Sequence, residues 1–301
     1  MRKLLSVFLT GCLLLLLPAT IWASAETTYE SEQGQAMIKA PSSASPNASA
    51  NTEADADSSD DSEGTLSPSG SSSGMDWSAA NTASTPSSGS RQFTVCIDPG
   101  HQGSWVDMSA QEPSAPGSSE TKAKATTGTQ GRYTGVPEYQ LNLDISLALQ
   151  KELENRGYRV VMTRTDNDTA ISNAERALKA YDEGGEIYVR IHANGSDDGS
   201  VSGALGMTPS YDNAYVSDLA GDSYRLTECI LNAYCEKTGF ANLGIQYHDD
   251  MTGTNWSTVP VAILEMGFMT NEHDDTAMQD AQMQTSMVNG IADGIDQYFG
   301  R

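Results

Sequence analysis

From Glu26 to Arg91 the chain offers almost no large apolar side chain, and this limits where a fold can begin. The segment is crowded with Ser, Ala, Gly and Pro and carries ten acidic residues against two basic ones. It cannot bury enough apolar surface to offset the entropy of ordering it, so it is expected to be a disordered linker. As a flexible tether it would span on the order of 45 Å. The rest of the 301 residues are a leader, residues 1–25, and one stretch of 210 residues, Gln92 to Arg301. That stretch is long enough for a single well-buried core.

Arg2 and Lys3 precede a Leu-rich run, and Ala23-Ser24-Ala25 then supplies small residues at an A-x-A site. This layout predicts a secretory signal peptide cut before Glu26. Leu4 to Ala23 is also about long enough to span a bilayer, so an uncleaved membrane anchor is the alternative. Leu9-Thr10-Gly11-Cys12 has the outline of a lipoprotein box, but the five leucines after Cys12 argue against a polar lipoprotein tether. Export is the expectation in either case. The mature chain keeps three cysteines with no framework spacing. Cys229 and Cys235 lie six apart on an expected helix, roughly 9 Å along its axis, which argues against a bridge. All three read as small buried hydrophobes.

The net charge of −23 divides into +2 for the leader, −8 for the linker and −17 for the remainder. No basic stripe is present, which argues against a nucleic-acid binder, or an anionic-membrane binder, held by counterion release.

Gln92 to Arg301 alternates strand-like and helix-like runs. Phe93 to Ile97 reads as a strand that stops at Asp98-Pro99-Gly100-His101. A helix is expected from Glu138 to Arg156, with Leu141, Ile145, Leu149 and Leu153 on one face. Gly157 ends it, and Tyr158 to Thr163 reads as the next strand. Asn173 to Glu183 reads as a helix, Glu186 to Ile191 as a strand and Val216 to Thr238 as a helix. Val261 to Leu264 reads as a buried strand, and Thr285 to Phe299 as the last helix. This order predicts an α/β domain with a mostly parallel, twisted central sheet flanked by helices.

In such sheets ligands bind beyond the carboxyl ends of the strands. His101, His192 and Glu265 each follow a strand, and Glu138 opens a helix facing the same edge with its side chain toward the sheet. Two His and a Glu are a common zinc set that leaves a position for water. The fourth residue, a carboxylate, can then move the proton from that water to a leaving amine. His101, Glu138 and His192 as ligands with Glu265 as base complete the set, although residue type alone allows the two Glu to exchange roles. A carboxylate directly after Val-Ala-Ile-Leu on a buried strand is rarely there for solubility. His248, in a polar loop, and His273, among Asn271, Glu272 and Asp274, read as surface residues.

At these residues the chain resembles the zinc-dependent N-acetylmuramoyl-L-alanine amidases, enzymes that cut bacterial peptidoglycan. The matching pieces are Ile97-Asp98-Pro99-Gly100-His101, Glu138 with Leu141-Asn142-Leu143, and Val161-Met162-Thr163-Arg164. Then come Ala174-Glu175-Arg176, Ile191-His192-Ala193-Asn194, and the run from Pro260 through Glu265 to Asn271. The resemblance covers essentially all of residues 92–301. It implies one zinc ion held by His101, Glu138 and His192, with Glu265 as catalytic acid/base. The implied reaction is hydrolysis of the amide between N-acetylmuramic acid and the first L-alanine of the stem peptide.

Two residues depart from the family's usual pattern. Arg190 stands where Ser is usual before Ile-His, and Ala180-Tyr181 replaces Ala-Asn. Both bear on strand packing or substrate preference and not on the chemistry. Residues 102–137 form the longest insertion, expected to be a mobile substrate-side rim without a plugging helix; Gly100 before it and Gly103, Gly131 and Gly135 within it would let backbone approach the glycan. The implied partner is peptidoglycan, in a secreted or cell-wall setting, with membrane contact only through an uncleaved leader. With no second binding domain evident, wall affinity rests on the catalytic groove or on a protein partner or activator.

Overall fold

The computed structural model describes residues 92–301; the expected leader and linker lie outside the described residues. The strands are β1 (Thr94–Pro99), β2 (Gln111–Pro113), β3 (Thr121–Ala123), β4 (Arg159–Met162), β5 (Ile187–Asn194), β6 (Ala204–Thr208), β7 (Asn242–Tyr247) and β8 (Val261–Phe268). The helices are α1 (Glu138–Asn155), α2 (Asn173–Asp182), α3 (Ala220–Thr238), α4 (Thr252–Asn255), α5 (Glu272–Ala277) and α6 (Ala281–Phe299). Six strands form one sheet in the order β4-β1-β5-β8-β6-β7, and β2 pairs with β3 in a separate hairpin.

Strands β4, β1, β5 and β8 are parallel, as expected of strands joined through helices. β6 runs antiparallel to β8, and β7 is parallel to β6. These last two strands and the short hairpin are additions to the sequence-based expectation. β6 and β7 carry Gly206 and Gly244 within weak apolar patterns, and glycine inside a strand dilutes its signal. β5 and β8 also run further than expected, so His192 and Glu265 lie inside strands and not at their ends.

Alternation along the strands sorts the core onto two faces. Val95, Ile97, Ile187, Val189, Ile191, Ala262 and Leu264 pack with α1, α3 and α6 through Leu141, Ile145, Leu149, Leu226, Ile230 and Ile291. Cys96, Tyr188 and Val261 face the other way and meet Ala177 and Ala180 of α2. Ala180 therefore has a packing role, whereas Tyr181 beside it is exposed. α2 begins with a capping box, in which Ser172 and Glu175 satisfy each other's backbone N–H groups. The three cysteines of the described residues are free; Cys96 is buried and the other two are half-buried.

The α2 face also holds charge. Asp98 is 0% exposed and accepts from Arg176 Nη1 at 2.7 Å, Arg190 Nε at 2.9 Å and Tyr188 Oη at 2.8 Å. The Thr163 hydroxyl donates to the same carboxylate. Burial alone would raise the Asp98 pKa, but the two guanidiniums and these donors hold it far below the usual carboxylate range. A depressed folded-state pKa stabilises the fold at pH values above the unfolded value, about 3.9, and that contribution is lost as pH falls beneath it. Asp98→Asn leaves two buried guanidiniums short of a counter-charge. It is expected to cost about 3–5 kcal/mol at neutral pH. Urea unfolding at pH 7 and below about pH 4 checks this: the gap from wild type should be large at the first and shrink at the second.

Candidate metal centre

β1 ends where Pro99 and Gly100 lead the chain out of the sheet, and His101 follows with φ at 62°. It is the one non-glycine residue with positive φ among the described residues, a conformation that persists only when its surroundings enforce it. Two buried arginines do so. Arg164 donates to the carbonyls of Pro99 and Gly100 at 2.9 Å each. Arg176 donates to those of Pro99 and His101 at 2.8 Å each. Three successive carbonyls are thus fixed by charge-assisted hydrogen bonds, and the imidazole is aimed accordingly. Its Nδ1 lies 3.0 Å from the Thr126 carbonyl, leaving Nε2 toward the site.

Glu138 opens α1 directly after Pro137, whose ring suits the entry to a helix. Its carboxylate is buried beneath residues 126–130 and is fully engaged. Oε2 accepts from the Thr129 N–H at 2.9 Å, and Oε1 from the Ala193 N–H and Asn142 Nδ2 at 3.1 Å each. Oε1 also lies 3.1 Å from His101 Nε2 and 3.2 Å from His192 Nδ1. The donor atoms of the three residues all fall within 4.8 Å of one another, and all three residues are buried. Metal–ligand bonds of about 2.0–2.1 Å in a tetrahedral site separate neighbouring ligand atoms by about 3.3 Å. The trio therefore has the composition and the spacing to hold a metal ion.

Protonation favours the same use. Burial pushes His192 down to about 4, although Glu138 opposes that, so the ring is neutral near pH 7 and its lone pair is available. Burial would raise the Glu138 pKa, but the adjacent imidazoles and their hydrogen bonds hold the carboxyl well below its usual range. His192 Nε2 is buried with no protein partner. Two glycines make the close packing feasible. A Cβ on Gly100 would lie 2.2 Å from the His192 ring, and one on Gly128 would lie 2.5 Å from Glu138 Oε2.

Glu265, 0% exposed, sits on β8 in register with His192 of β5. Paired positions on adjacent strands project to the same face, so this carboxylate stands beside the trio. The register then shifts between His192 and Asn194, an irregularity common next to active sites. All four expected site residues are thus gathered at one place.

Three expectations need correction. His248 is not a surface residue: its side chain is 11% exposed, with burial lowering its pKa. His273 is on the surface, at 72%. Gly100, Gly103 and Gly131 face this chain's own side chains: His192, Trp105 and the Thr134–Asp275 pair respectively. Residues 102–137 contain no helix, as expected, yet this rim is fastened. Glu112 accepts from the Ala174 N–H, Trp256 Nε1 donates to the Pro113 carbonyl, and Lys122 pairs with Asp250.

Asn142, Thr126, Arg164 and Arg176 support the site but carry no chemistry of their own, so residue type did not mark them. Asn142 lies four residues after Glu138 on the same helix face, and Asn142, Arg164 and Arg176 all stand in the pieces that carry the family resemblance.

Comparison with known proteins agrees with this geometry. The family profile described as N-acetylmuramoyl-L-alanine amidase matches residues 95–297. The chain belongs to that family. A relative in Staphylococcus aureus, named probable cell wall amidase LytH, is 30% identical over 206 residues, 68% of this chain. The match spans 58% of that relative's length. The crystal structure of the N-acetylmuramyl-L-alanine amidase Ami1 from Mycobacterium smegmatis is 26% identical, with a TM-score of 0.61 over 69% of this chain and 97% of its own. Ami1 from Mycobacterium abscessus, at 24% identity, shares the fold with a TM-score of 0.62 over 69% of this chain and 98% of its own.

Asn142 bonds both Glu138 and the Gly100 carbonyl, the latter at 3.3 Å. Asn142→Leu is expected to weaken any metal binding by the trio about 10- to 100-fold with the fold retained. Calorimetric zinc titration measures it, and unchanged affinity would remove Asn142 from the support of the site.

Proposed function

We propose that the chain is a zinc-dependent N-acetylmuramoyl-L-alanine amidase that hydrolyses the amide between N-acetylmuramic acid and the L-alanine of the stem peptide. The observation that carries this reading is the buried His101–Glu138–His192 trio with Glu265 in register beside it, in a chain of this family. Zinc, when bound by the three residues, polarises the amide carbonyl and lowers the pKa of an attacking water.

The chain's own residues supply the rest. Glu138 brings one negative charge, and its backbone N–H and Asn142 contacts fix which oxygen faces the imidazoles. Glu265 takes a proton from the attacking water and returns it to the alanine nitrogen, which leaves as an amine. In the same reading residues 1–25 export the chain, and residues 26–91 are a tether where the leader stays uncleaved and a solvated tail where it is cut. Among the described residues no helix is long and apolar enough to cross a membrane.

Glu265→Gln should abolish turnover while keeping zinc, and His192→Ala should lose both. Purified peptidoglycan is the substrate, with products read by mass and metal by elemental analysis. Wild type should release stem peptides beginning with L-Ala, stop on chelation and recover with zinc. Near-wild-type activity in Glu265→Gln would sink the role given to that residue, and intact wall with no bound metal would overturn the enzyme itself.

A further inference from the structure

The two imidazoles of the trio line a cleft whose lining is uneven in charge for so acidic a chain. Its lining includes His101, His192, Lys122, Arg190, Thr252 and Gly253 and no carboxylate. Lys122 comes from the β2–β3 hairpin. Its ammonium bonds the Asp250 carbonyl and, at 3.2 Å, the Asp250 carboxylate. An ammonium has three N–H donors, so one is left for the cleft. Arg190 lies two residues before His192 on β5 and on the same face. Its guanidinium is held by Asp98 and Asn173 and packs against Gly253, where a Cβ would come within 2.6 Å of it. Thr252, 4% exposed, has a hydroxyl with no partner in the described structure. A buried hydroxyl left unpaired is unfavourable unless something else bonds it.

We infer that this cleft is a carboxylate-binding subsite, in which Lys122 and Thr252 contact the anion and Arg190 supplies positive potential from beneath. This rests on the amidase reading and deepens it. The substrate's chemistry says which carboxylate can enter. The lactyl carboxyl of the muramic acid is consumed in the scissile amide and the sugars are N-acetylated, so every free carboxylate lies on the peptide side. At roughly 3.5 Å per residue, the second and third stem residues are the ones within reach of a cleft that adjoins the metal centre. The subsite would thus read whether the stem peptide carries a free carboxylate or an amide. Arg190, which replaces the Ser usual in the family, would make the preference a property of this chain.

The test uses the full zinc-loaded chain and three synthetic muramoyl tripeptides: one with free carboxylates, one amidated at the second residue and one amidated at the third. Wild type should favour the free form over one amidated form by about 10- to 100-fold in kcat/KM. That ratio should fall toward one in Lys122→Met and in Thr252→Val, and return in Lys122→Arg, which keeps the charge if Lys122→Met disturbs the hairpin. The loss should sit in KM. Calorimetric titration of the released peptides should show the same order of affinity. Equal rates on all three substrates in wild type, or a ratio unmoved in Lys122→Met, would overturn the subsite and leave the amidase reading standing. Cleavage of none would overturn the amidase reading, and the binding titration then decides the subsite by itself.

Discussion

The pairing of Asp98 with Arg176 and Arg190 is the interaction on which the rest of the structure depends. A carboxylate taken wholly out of water is tolerable only when charge and hydrogen bonds surround it. Here it accepts from two guanidiniums, a phenol and a hydroxyl supplied by α2, β5 and β4 or their flanks. The cluster therefore fixes the position of α2 against the sheet. The remaining donors of Arg176 go to the Ile171, Pro99 and His101 carbonyls and to Gln102 Oε1. The charge that anchors the fold and the loop that presents the first imidazole are parts of one network.

Close approach is the second constraint. Parallel strands place neighbours about 4.8 Å apart, and His192 and Glu265 are such neighbours. Bringing His101 and Glu138 to the same point from a loop and a helix requires backbone where side chains would otherwise stand. Gly100 under His192 and Gly128 over Glu138 provide it. Gly128 also has φ at 75°, so a substitution there would meet both steric contact and backbone strain.

The α/β order, α1, α2, β1 and β4 were legible because strong periodicity and clear stops mark them. Glu265 was legible because a carboxylate amid Val-Ala-Ile-Leu and Met-Gly-Phe violates the pattern around it. What escaped was set by neighbours distant in sequence. β6 is a strand because β8 has a free edge to pair with, and its own Ala-Leu-Gly-Met-Thr hardly requires it. His248 reads as polar loop, yet its segment folds back toward Lys122 and Asn213, which leaves the imidazole only 11% exposed. The supporting arginines resemble solvated helix and loop residues, since nothing local shows that three carbonyls will converge on them.

Burial of the trio also bears on how it would meet a metal ion. An imidazole in water is close to half-protonated near its ordinary pKa, and a metal must then displace that proton. With His192 pushed down to about 4 by burial, the ring is neutral near pH 7. Binding there competes with no proton on that residue. Glu138, held ionised beside the imidazoles, supplies a negative charge that would favour a cation there. The same low dielectric that makes an unpaired charge costly makes this pairing strong. The enclosure that depresses His192 thus prepares the ligand set before any ion arrives.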